Sequence, residues 1–176
     1  MPGFLIDGSG NGPDGMQAPA NTTETRRKHR WAFKTIENAF RSESLLLLKE
    51  ASRPHPIFQE PILHHNQEQA YFAGKHAWEP IRMMWYDADQ PIDTSADIYK
   101  WLNTVCDIKT VVVSLPSAYK KKATLAMLDG AGASNETWMM HGCWPQDINW
   151  GGLDYADTEI ATIECTMRVD RCTKVK

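Results

Sequence analysis

The chain has 176 residues, 42% hydrophobic and 23% charged, with a formal net charge of −3. That length and balance describe one globular domain with a real core and exclude wholesale disorder or a collagen-like or coiled-coil rod. The longest aliphatic run, Leu45–Leu48, falls far short of the roughly 20 apolar residues that cross a bilayer, and the negative balance supplies no general attraction to nucleic acid or anionic lipid.

The opening, MPGFLIDGSGNGPDG, lacks the basic and apolar regions of a signal peptide. Cys106, Cys143, Cys165 and Cys172 form no C-x-x-C pair. The expectation is a chain made in a cytoplasm with reduced thiols. Residues 1–29 differ from the rest, with Gly3, Gly8, Gly10, Gly12 and Gly15 among Pro2, Pro13 and Pro19 and one apolar knot, Phe4-Leu5-Ile6. Such a segment loses too much entropy to fold alone, so it reads as a flexible tail or as an arm that orders against a partner, and the apolar knot favours the arm. The globular domain is residues 30–176.

From Arg30 the pattern changes. Trp31, Phe33 and Thr35 alternate with Ala32, Lys34 and Ile36, the period of a strand. A short apolar run, Leu45–Ala51, leads into Ser52–Pro61, where Pro54, Pro56 and Pro61 predict a loop without regular structure. Ile62–Ala70 is polar and ambiguous, and Gly74 marks a turn. Ala77–Asp87 predicts a strand with Ile81, Met83 and Trp85 on one side and Arg82, Met84 and Tyr86 on the other. One clear helix follows, from about Thr94 to Cys106, capped by Asp93 or Thr94 and striped by Ile98, Trp101, Leu102 and Val105. Three more strands are expected: Tyr119–Leu128, Thr137–Trp144 ended by Pro145, and Ala161–Asp170 with Ile163, Cys165, Met167 and Val169 facing one way. Many strands and one helix, without βαβ alternation, indicate a mostly-β sandwich or barrel with one flanking helix.

The search for chemistry finds no catalytic residue, metal site or cofactor site. Gly8-Ser9-Gly10-Asn11-Gly12 has neither the strand before it nor the helix after it that a phosphate loop needs. His141-Gly142-Cys143 and His64-His65 could supply ligands, and His141 and Cys143, two apart on one strand, would share a face. A structural zinc site wants four ligands in two close pairs, however, and His76 and Cys106 have no motif spacing. Asp87-Ala88-Asp89 sits where a strand ends and a helix begins, which is ordinary turn and capping chemistry. Ser44, Ser114 and Ser117 show no nucleophile elbow. The basic runs Arg26–Arg30 and Lys120–Lys122 read as solvated faces or inter-subunit pairs.

Two blocks carry a resemblance. Met139-Met140-His141-Gly142-Cys143-Trp144-Pro145-Gln146-Asp147-Ile148, then Tyr155, then Glu159–Asp170, resembles the ending of tail tube proteins of contractile-tailed (myovirus, T4-like) bacteriophages. The shared features are a G-x-W-P turn between strands and a long strand ending in an apolar-x-Asp pattern, here Val169-Asp170. Trp78-Glu79-Pro80-Ile81-Arg82 through Asp87, followed by a helix with Trp101, matches the family's strand, turn and helix. Tyr119-Lys120-Lys121 before a strand fits as well. The motif residues Trp78, Asp87, Trp101, Gly142, Trp144, Pro145 and Asp170 are then structural.

The resemblance implies a structural virion protein and no enzyme. Six copies would close into a ring whose strands join an inner barrel, which removes sheet edges, and rings would stack into the tube of a contractile tail that delivers the genome. Its implied partners are itself, the sheath, tape-measure, baseplate and tail-terminator proteins, with DNA passing unbound and no membrane. Six copies at −3 make −18 per ring, a lumen that would repel phosphate. Phe4, Leu5 and Ile6 of the arm, and Arg53, Pro54, Pro56 and Pro61 of the proline-rich segment, are the expected inter-ring contacts. The tube of a secretion system or tailocin is the alternative of the same class. A metal-dependent enzyme using His141, Cys143 and a carboxylate, and an oligonucleotide-binding barrel stacking bases on tryptophans, are the alternatives of other classes.

Overall fold

A computed structural model describes residues 26–37 and 39–176. In chain order the described elements are β1 (Trp31–Ile36), α1 (Ser42–Leu46), β2 (Leu48–Ala51), β3 (Pro56–Phe58), β4 (Ile62–His65), β5 (Glu68–Tyr71), β6 (His76–Trp78), β7 (Ile81–Tyr86), α2 (Thr94–Val105), β8 (Cys106–Asp107), β9 (Val112–Val113), α3 (Pro116–Tyr119), β10 (Lys121–Leu128), β11 (Ser134–Asn149), β12 (Thr162–Arg168) and β13 (Arg171–Lys174). Among the described residues strand accounts for 46% and helix for 14%, the mostly-β chain that the alternation predicts. To the one expected helix are added α1 and α3, of five and four residues.

One antiparallel sheet runs in the order β1-β10-β11-β12-β7-β2, with β13 paired to β11 as well. It folds over itself, because Trp31 of the first strand and Ala51 of the last line the same cleft. The hinge is β11. Its residues up to Cys143 pair with β10 and β13, and from Trp144 onward it pairs with β12. The sequence reading ended this strand at Pro145, but the strand continues to Asn149. Pro145 is tolerated because a ladder irregularity falls between it and Asp147, where a missing N–H costs least.

Within the fold lies a single apolar core. Ile81, Met83 and Trp85 of β7 and Ile163, Cys165 and Met167 of β12 face inward, as their period-2 spacing requires. In β1 a register shift between Phe33 and Thr35 turns both Phe33 and Ile36 inward, so strict alternation fails there. Ile98 and Trp101 of α2 complete the core, with Phe40 stacked on Trp85 (5.5 Å) and set edge-on to Trp101 (5.3 Å). The α2 N-cap is Asp93, whose Oδ1 accepts the Ala96 N–H at 2.8 Å. Ser44 donates to the buried Asp97 at 2.6 Å and ties α1 to α2.

Three expectations change. The run Leu45–Ala51 divides between α1 and β2. Residues 52–61 are not free of regular structure, since β3 begins at Pro56. Proline is admitted there as the first residue of a strand in a two-stranded ribbon. The stretch from Ala77 to Asp87 is two strands, β6 and β7, parted at Glu79-Pro80.

Candidate assembly site

Between β2 and β7 the chain runs out into a long hairpin. β3 pairs with β6 and β4 with β5, and the ladder is continuous between them: Gln59 N–H donates to Lys75 O (2.8 Å), Gly74 N–H to Gln59 O (2.7 Å) and Phe72 N–H to Pro61 O (3.1 Å). Gly74 is required here, because a Cβ would lie 2.8 Å from Gln59 O and 3.0 Å from Pro61 Cδ. Asn66, at φ 53°, makes the tip. All eight residues of β4 and β5 are exposed. Ile57, Phe58, Ile62, Leu63, Tyr71 and Phe72 are among the exposed large apolar side chains. A two-stranded hairpin with no covered face is marginal in water, so this one presents a surface that calls for a partner.

The root of the hairpin is held by Glu136, which is 3% exposed on β11. Its carboxylate accepts the Trp138 indole N–H at 2.5 Å. Arg26 from the start of the described chain pairs with it closely, and Arg53 (3.8 Å) and Lys174 (3.7 Å) complete the group. Burial alone would raise this carboxyl, but the Trp138 hydrogen bond with Lys174, Arg26 and Arg53 outweighs it and holds the group below its ordinary 4.5. One carboxylate thus anchors three segments. Trp78, at the hairpin's inner end, packs edge-on to Trp138 at 6.5 Å.

A second cluster gathers the motif residues of the C-terminal block. Gly142 has φ +69°, and a Cβ on it would lie 2.2 Å from Asp170 Oδ2. Asp170 N–H donates to His141 O (3.1 Å), and its carboxylate accepts from Lys120 Nζ at 2.5 Å, which raises the lysine above 10.5. Tyr119 of α3 packs edge-on to Trp144 at 6.0 Å. Tyr119 therefore belongs to this clasp and not to β10, which begins at Lys121. The G-x-W-P and apolar-x-Asp patterns are two halves of one clasp at the bend of β11.

The metal reading loses its geometry at the same place. Across from the Gly142 bulge, His141 pairs with Lys122 and Cys143 with Lys121, so the two side chains face opposite sides and do not share one. Burial pushes the thiols of Cys143, Cys165 and Cys172 up to about 12, which leaves them protonated and unreactive at neutral pH. Among the described residues no group of three His, Cys, Asp or Glu could hold a metal ion, and no helix is long and apolar enough to cross a membrane.

Of the expected contact residues, Phe4, Leu5 and Ile6 lie outside the described residues. Arg53 is at the hairpin root on Glu136, Pro54 is buried beside it, Pro56 is half-buried at the start of β3 and Pro61 is exposed. Trp101 is buried in the core, and Asp87 N–H donates to Ala161 O at 2.9 Å, away from the clasp. Sequence reasoning missed Glu136. Its sign was a lone acid opening an apolar-aromatic strand, which a surface residue explains equally well.

No protein-family model matches the sequence, and no curated protein matches it. Solved structures do. A chain of the anti-feeding prophage cap, described as the tube terminating cap, superposes with TM-score 0.66 at 16% identity, covering 89% of this chain and 95% of that one. A chain of the sheath–tube complex of an extracellular contractile injection system, PVC, gives 0.65 at 14% identity, over 85% and 90%. The sheath/tube terminator structure of the same system gives 0.67 at 15% identity, over 89% and 100%. The chain has the fold found in the tube, cap and terminator assemblies of contractile injection systems, the tail-tube fold that its two motif blocks imply.

Proposed function

We infer that this chain is a structural subunit of the inner tube of a contractile tail, non-enzymatic, assembling as stacked hexameric rings. The observation that carries the reading is the hairpin from Pro56 to Trp78, an apolar, uncovered ribbon projecting from a domain of this fold. A neighbouring copy would bury it, as sheet closure around a ring would bury the edge strands β1 and β2. The arm of residues 1–29, with Phe4, Leu5 and Ile6, would add the contact to the next ring. The sheath, tape-measure, baseplate and tail-terminator proteins are the partners that this role entails. The virion tail is its place, with DNA as the cargo that passes unbound.

The tube of an extracellular contractile injection system is the second reading, favoured by one observation: the structures matched above come from such systems. Negative-stain electron microscopy of the full chain, beside its mass in solution, tests the shared claim. Hollow sixfold rings or tubes are expected. A monomer at high concentration, unchanged when mixed with preformed baseplates, overturns it. Deleting residues 2–20 is expected to leave rings without long tubes, and normal tubes from that variant would remove the arm from the account.

A further inference from the structure

Where the sheet folds over itself it leaves a mouth of about 490 Å³. Trp31 lines it together with the buried core side chains Leu125 and Met127, so its floor is apolar. Lys28 and Lys49 also line it, with Arg53, which is shared with Glu136, and one carboxylate, Glu50. An occupant that continues the core and answers this charge is an apolar segment flanked by acids.

The chain carries such a segment elsewhere. Residues 150–161, between β11 and β12, contain Asp154, Asp157 and Glu159 and no basic residue. Leu153 and Tyr155, on either side of Asp154, are 94% and 112% exposed, without a packing partner's cover. The loop is also preorganised. Asp154 Oδ1 accepts Ala156 N–H and Asp157 Oδ1 accepts Glu159 N–H, both at 2.9 Å. Asn149 Oδ1 accepts Gly151 N–H at 3.1 Å. These bonds hold the turn while a second carboxylate oxygen of each aspartate stays available. A loop already shaped loses little entropy on docking.

We propose that the Leu153–Asp157 loop of one copy docks in the Lys28/Lys49/Arg53 mouth of another, with Leu153 and Tyr155 on the apolar floor and the aspartates on the cationic rim. The proposal rests on the tube reading and deepens it by naming a contact between subunits. The two surfaces are different, so the interface is heterologous and repeats from copy to copy, as a ring or stack requires. Opposite charges fix its register and speed encounter.

Charge reversal tests it. The variants Asp154→Lys/Asp157→Lys and Lys28→Glu/Lys49→Glu change exposed side chains, and unchanged melting confirms that each folds. Each is expected to raise the concentration needed for assembly about tenfold, in line with loss of close interfacial charge pairs. Mixing the two defective variants is expected to restore assembly, since each then meets a complementary surface. Assembly of either variant at the wild-type concentration, or no rescue on mixing, overturns the contact. So does a deletion of residues 2–20 that reproduces the mouth variant while the loop variant assembles normally, which makes the arm the occupant. Should the wild-type chain form no rings, alone or mixed with preformed baseplates, the tube reading fails. The contact is then judged by bismaleimide cross-linking of a Leu153→Cys copy to a Lys28→Cys copy, both carrying Cys106→Ser, and absence of that cross-link overturns it.

Discussion

At Gly142 the backbone and its neighbour act together. A side chain there would meet the Asp170 carboxylate at 2.2 Å and would also have to hold φ at +69°. Gly142→Ala is expected to cost about 2 kcal/mol or more in chemical denaturation, the scale of a strained backbone position. Adding Asp170→Ala to it should recover only the part of the clash due to the carboxylate, since the Asp170 Cβ would still lie 2.9 Å from the new Cβ, and should leave the part due to φ. Glu136 makes a different prediction. Its pKa is depressed in the fold, so its stabilisation is present above the ordinary carboxylate value of 4.5 and is lost as pH falls through the depressed one. Glu136→Gln keeps an acceptor for Trp138 but drops the charge that gathers Arg26, Arg53 and Lys174. It should cost about 1.5–3 kcal/mol at pH 7, the worth of hydrogen bonds to a charged group. It should also flatten the acid limb of the stability–pH curve, and hydrogen exchange should quicken first at the hairpin root around Arg53. An acid limb identical to the wild type would show that Glu136 holds nothing.

At the scale of elements, the strands with one wet face and one buried face were legible. Ile81/Met83/Trp85 and Ile163/Cys165/Met167 alternate because a half-buried antiparallel strand forces that period, and α2 was legible through its Asp93 cap and its stripe. The hairpin was not. β4 and β5 bury neither face within their own chain, so no alternation is imposed on Ile62–Tyr71, and the prolines hid β3. Its apolar residues are exposed on the subunit, where the proposed neighbouring copy would cover them. Replacing Phe58, Tyr71 and Phe72 by Ser should therefore leave the melting temperature within a few degrees while abolishing ring or tube formation in sedimentation. A large loss of thermal stability would instead place those rings in the subunit's own folding.

For the whole molecule, composition and pattern by themselves determined a mostly-β domain, its inward-facing side chains, one principal helix and a pair of motif blocks. Those features follow from local rules, the period of a strand, the cap of a helix and the burial of apolar area. What only the tertiary structure decided lies between distant segments. β11 passes through Pro145 and changes sheets, joining Gly142 to Asp170 and Lys120. Glu136 collects cations from residues 26, 53 and 174. The curled sheet opens a cationic mouth while an acidic loop stands exposed beyond β11. Each depends on which strands become neighbours. That choice is made by the free energy of packing the whole chain, and no local window of residues contains it.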